Sequence, residues 1–107
     1  MRQTQYGTGR LQGRTVLLIE DEPEILQAVA TMLTLAGCQS LRAASGRDAL
    51  ALCARHGERL AAVMLDLHLP GEDSVELFAA LRARRPDLPI ILTSGVSEAA
   101  AREHLGW

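Results

Sequence analysis

Three short apolar runs constrain this chain more than any other feature: Thr15–Ile19, Ala61–Leu65 and Leu88–Leu92. Runs of this length without polar alternation belong to strands covered on both faces, the kind found in parallel sheets. Cys38–Ala43 alternates weakly and reads as a further, more exposed strand. The segments between them change to helical spacing. Ile25, Val29, Met32, Leu33 and Ala36 recur until Gly37, a natural stop, and Ala49, Leu50 and Cys53 mark a helix capped by Ser45 and ended after His56 by Gly57. From Glu72 to Arg85 the spacing predicts a helix burying Val75, Leu77, Phe78 and Leu81, with Arg82, Arg84 and Arg85 turned to water; a last helical stretch runs from Ser97 to about Leu105. Strands alternating with helices of this size imply right-handed βαβ crossovers, so the fold class is α/β, a doubly wound parallel sheet.

In such a sheet all strands end along one edge, where ligands collect. Glu20 and Asp21 follow the first strand, Asp66 ends the third before the Pro70-Gly71 turn, and Thr93 and Ser94 end the fourth. Any one of these acids could simply cap a turn. Three carboxylates brought to one edge instead invite a hard cation, of which Mg²⁺ is the usual one. A hydroxyl at Thr93 could donate to a phosphate held there.

At 107 residues, 48% of them apolar, the chain has enough core for one globular domain. A net charge of −2 without a basic stripe argues against nucleic acid as a partner. No apolar run approaches the ~18 residues that span a membrane, and the N-terminus lacks the apolar core of a signal peptide. Cys38 and Cys53 have no metal-ligand spacing and read as small buried thiols, consistent with a reducing, cytoplasmic setting. Residues 1–13, with Gly7, Gly9 and Gly13, read as a flexible leader or linker, leaving 14–107 as the domain.

Leu17-Leu18-Ile19-Glu20-Asp21-Glu22-Pro23, Asp66-Leu67-His68-Leu69-Pro70-Gly71 and Pro89-Ile90-Ile91-Leu92-Thr93-Ser94-Gly95 together resemble the three motifs of response-regulator receiver domains, the phospho-acceptor modules of two-component signalling. The resemblance implies a flavodoxin-like sheet of order 2-1-3-4 and a phosphoryl group passed from a phosphohistidine to Asp66. It implies Mg²⁺ held by Asp21, Asp66 and the His68 backbone carbonyl, with Glu20 acting through water. Thr93 would be the switch hydroxyl, while Ser94 and His68 stand where the family tunes how long the phosphate lasts. A histidine kinase or histidine phosphotransfer protein would be the partner, and the linker-like leader matches the receiver of a hybrid histidine kinase. The domain would be an acceptor rather than an enzyme with turnover.

Two departures accompany the match. Ser74 stands where the family usually has Gly. The family also continues into a fifth strand, a Lys and a fifth helix, whereas this sequence stops at Trp107 and all eleven of its basic residues are Arg. The expectation is a C-terminally incomplete receiver with an uncovered sheet face. The alternative function is therefore a phosphorylation-impaired interaction module that dimerises or docks through that face. A phosphatase with a nucleophilic Asp is disfavoured by His68, which stands where such enzymes need a second Asp. A flavin site is disfavoured by Glu20-Asp21-Glu22, which would repel a phosphate.

Overall fold

The computed structural model describes residues 12–93. The leader through Leu11, Ser94 and the helix expected at Ser97–Leu105 lie outside the described residues. Within them the elements run β1 (Thr15–Ile19), α1 (Pro23–Leu35), β2 (Gln39–Ala43), α2 (Gly46–His56), a 3₁₀ turn (Gly57–Arg59), β3 (Leu60–Asp66), α3 (Ser74–Arg84) and β4 (Ile90–Thr93). All three strand pairings are parallel, and the order is β2-β1-β3-β4, as the resemblance to receiver domains implied.

β1 lies between β2 and β3 and is buried along its whole length, which is why its five residues carry no exposed polar position. Leu17 and Ile19 join Val63 and Leu65 of β3 in the larger core, closed by Ala49 and Cys53 of α2 and Leu77 and Leu81 of α3. Val16 and Leu18 point to the other face, where Leu26, Val29, Ala30 and Leu33 of α1 cover them. Both cysteines are buried, as expected of small apolar side chains.

Local chemistry sets the element ends. Pro23 opens α1. Gly37, at φ +87°, closes it in the left-handed conformation: its amide bonds Thr34 O at 3.0 Å while the Cys38 amide bonds Leu33 O at 2.8 Å. Ser45 caps α2 by accepting from the Asp48 amide, and Asp73 caps α3 by accepting from Val75 and Glu76.

Several expectations are corrected. α3 begins at Ser74 rather than Glu72, because Asp73 is its cap; this start leaves Val75 74% exposed, not buried. Met32 of α1 is exposed as well, since Leu26, Val29, Ala30 and Leu33 form the covered face. The helix over Gly46–His56 ends at Gly57 as expected, and a separate 3₁₀ turn, Gly57–Arg59, follows it. β2 starts one residue late, at Gln39, and β4 runs from Ile90 to Thr93. Arg82 and Arg85 do not simply face water: Arg82 donates to Pro86 O and Leu88 O, and Arg85 donates to Gly57 O and Leu60 O. These guanidinium groups occupy carbonyls around the amino ends of β3 and β4, where several chain segments meet.

Candidate functional site

The carboxyl edge of the sheet gathers Glu20, Asp21, Asp66 and Thr93, as the alternation of elements implied. Glu20 continues β1, its amide bonded to Ala43 O at 3.0 Å, and its side chain turns inward with only 7% of the residue exposed. Asp21 beside it is half-buried. Asp66, the last residue of β3, is 2% exposed. Carboxylate oxygens of all three lie within 4.8 Å of one another.

Burial pushes the Glu20 carboxyl up to about 7, and the neighbouring Asp66 and Asp21 charges push the same way against a bond from the Glu22 amide. A buried carboxyl with two acids beside it and, among the described residues, no cation against it binds its proton more tightly than a free one. A hard divalent cation matches that donor set: several close carboxylate oxygens, with no soft ligand among them.

The backbone around Asp66 is held at several points. The His68 amide donates to Asp66 Oδ1 at 3.0 Å, and the Leu67 amide continues the β3–β4 pairing to Thr93 O at 2.9 Å. His68 itself is exposed. Ser74 Oγ donates to the Asp66 carbonyl at 3.1 Å in a buried contact, so the residue that departs from the usual Gly ties the two ends of the β3–α3 loop together. Thr93 Oγ1 donates to Leu65 O at 3.4 Å, and its backbone pairs with Asp66 across β3 and β4. Beside the acids, Glu20 and Thr93 also border a cavity of about 120 Å³ whose other walls include Ile25, Val29 and Met64.

Three contacts were not foreseen: the Ser74 bond, the Asp73 cap and a bond from the Gly46 amide to Glu72 Oε1 at 2.7 Å. Asp73 followed by Glu76 ahead of Leu77 and Phe78 is the spacing of a helix-capping sequence and was readable. The other two cross between separate elements, where spacing carries no signal.

A sequence profile of the response regulator receiver domain matches residues 16–105, nearly the whole chain. The chain belongs to the response regulator receiver family. Among curated relatives it is 39% identical over 84 residues to the transcriptional regulatory protein TcrA of Mycobacterium tuberculosis, covering 78% of this chain and 32% of that one. It is 35% identical over 77 residues to the response regulator protein FleR of Pseudomonas aeruginosa, covering 72% and 16%. This receiver thus spans about a third or less of these two proteins. Among solved structures, a sensor protein from Polaromonas sp. JS666 shares 35% identity at a TM-score of 0.72, with 84% of this chain and 72% of that one covered. The chemotaxis protein CheY4 of Vibrio cholerae shares 28% at 0.70, with 88% and 79% covered. Among the described residues no helix is long and apolar enough to cross a membrane.

Proposed function

We propose that this receiver accepts a phosphoryl group on Asp66 from a phosphohistidine of a histidine kinase or a histidine phosphotransfer protein. The observation that carries the reading is the acid cluster itself: Asp66, almost wholly buried at the end of β3, with Glu20 and Asp21 oxygens within 4.8 Å. The His68 amide donates to Asp66 Oδ1 and orients the carboxylate, one oxygen of which attacks the phosphorus. As the new O–P bond forms, the N–P bond of phosphohistidine breaks and its electron pair leaves on the imidazole nitrogen. The product is an acyl phosphate on Asp66.

Asp21, Asp66 and the His68 carbonyl would hold Mg²⁺, with Glu20 acting through water. When bound, the cation offsets charge on the acids and on the phosphoryl oxygens. Thr93 would leave Leu65 O to bond the phosphoryl group, and Ser94 would contact it. The domain acts as an acceptor, not as an enzyme turning over an external substrate. Relatives named as a transcriptional regulatory protein and a sensor protein support a place inside a longer signalling protein; a cytoplasmic hybrid histidine kinase is one such protein that the reading allows. The test is incubation with a small-molecule phosphodonor and Mg²⁺. A hydroxylamine-labile phosphate should appear on Asp66, and its absence from the wild type would sink the reading.

The Glu20 shift gives a pH signature with a definite sign. Its carboxyl binds a proton more tightly folded than unfolded, so in the metal-free protein it favours the fold at low pH. That contribution is lost as pH rises from about 4.5 through about 7. Cation binding must displace the same proton. Mg²⁺ affinity measured by calorimetry should therefore rise at least about tenfold from pH 5 to pH 8, with proton release at the acid end. A flat profile would contradict the coupling.

A second reading, association with another copy, is favoured by the outer flank of α1 and by β4. Leu35 is 83% exposed, and Met32 and Ile91 are exposed too. Light scattering over a concentration series should show a rising mean mass. A constant monomer mass removes this reading without touching the first.

A further inference from the structure

The β3–α3 loop, residues 67–73, leaves Asp66, carries the His68 carbonyl and returns to α3 through the Asp73 cap. Its middle reaches sideways to a helix that contributes nothing to the acid cluster. Glu72 Oε1 accepts the Gly46 amide, the first of α2, at 2.7 Å. The Glu72 backbone amide meanwhile bonds Leu69 O at 3.2 Å, and Leu69 is anchored in the larger core. The bond joins a carboxylate to a helix-terminal amide, the charge-assisted type that gains most at a helix start.

Gly46 is shaped to receive it. A Cβ at this position would collide with Glu72 Oε1 and press on Leu77. α2 already has its own cap in Ser45. The bond to Glu72 therefore adds a constraint on the loop as well as satisfying the buried Gly46 amide.

We infer that Glu72 is a positioning residue for the acceptor site, clamping the β3–α3 loop to α2 so that the His68 segment is already in place when a cation and a phosphoryl group arrive. The inference rests on the receiver reading above. Groups that hold a ligating segment from behind commonly set metal affinity without touching the metal.

Substitutions at the two ends of the bond separate geometry from charge. Glu72→Gln removes the charge and keeps an acceptor oxygen. Gly46→Ala keeps the charge and expels the carboxylate, which can swing aside because it is the end of a flexible chain. Mg²⁺ affinity is measured by calorimetry, phosphodonor labelling rate at saturating Mg²⁺, and helix content and melting by circular dichroism. Glu72→Ala should weaken Mg²⁺ binding about tenfold and slow labelling. Gly46→Ala should do the same, the double variant should be no worse than either, and Glu72→Gln should stay near wild type. Mg²⁺ affinity unchanged in Glu72→Ala overturns the inference, as does a fall in melting temperature alone. Equal loss in Glu72→Gln with none in Gly46→Ala shows a charge effect and overturns it too. A wild type that binds Mg²⁺ but ignores Glu72 leaves the receiver reading intact, whereas a wild type that binds no Mg²⁺ removes both.

Discussion

Replacing Asp66 with Asn is expected to abolish phosphodonor labelling, a loss of at least about a hundredfold, while the protein stays folded. A neutral amide cannot serve as the attacking carboxylate, and no neighbour can take its place: Glu20 and Asp21 share the cluster but sit on a different strand end. The fold should survive because Asn keeps the oxygen that accepts from the His68 amide, and the Ser74 bond runs to the Asp66 main chain. Without Mg²⁺ the variant should melt higher than wild type, since one of three crowded acids is gone and Glu20 loses a charge that pushes its carboxyl up. Added Mg²⁺ should then stabilise wild type far more than the variant. Mass spectrometry of the labelled protein and a pair of melting curves test both halves. Labelling that persists in Asp66→Asn, or a lower melting point in the metal-free variant, would contradict this account of the site.

The largest effect on stability should come from Leu17→Ala. Leu17 is wholly buried in the middle of the central strand and packs in the core shared by α2 and α3. Neighbours fixed in a four-stranded sheet cannot close in around a lost side chain, so the cost should be about 3–5 kcal/mol. Domains of this class have a total stability of about 5–15 kcal/mol, so a large share would be lost. Leu17→Met, which conserves volume, should cost less than about 1.5 kcal/mol. Urea unfolding of the three proteins gives the comparison. A cost for Leu17→Ala within that of Leu17→Met would mean the core is looser than its packing indicates.

The strands and the convergence of acids were legible because both follow from periodicity. A run such as Val16–Ile19 can only be a strand covered twice over, and parallel strands must end together. Asp66 gained its standing from Glu20 and Asp21 on another strand, and the structure places these three as that logic required. Periodicity failed where side-chain direction is decided by neighbours distant in sequence. Val75 and Met32 are apolar and correctly spaced, yet each faces outward. Arg85 meets carbonyls of Gly57 and Leu60, far away in sequence, and Arg82 those of Pro86 and Leu88 just past the end of its helix, where helical spacing no longer applies. Ser74 stands out in the sequence as a departure from Gly, but its bond, like that of Glu72, is invisible to spacing, since their partners lie 8 and 26 residues away.

The arginines at the amino end of the sheet have a further consequence. Among the described residues Arg59, Arg82, Arg84 and Arg85 lie toward the amino ends of the strands, accompanied by Glu58 and Asp87, while Glu20, Asp21, Glu22, Asp66, Glu72 and Asp73 lie toward the carboxyl ends, accompanied by Arg47. A body with a net charge near zero can therefore still carry an electric moment along its strands. In the field of a charged partner it rotates before it touches, so that encounters are biased toward one pole rather than spread over the surface. The bias weakens as salt shortens the range of the field. A phosphoryl group on Asp66, as proposed above, would lengthen that moment, and the molecule carrying it would meet a charged partner with a different orientational preference.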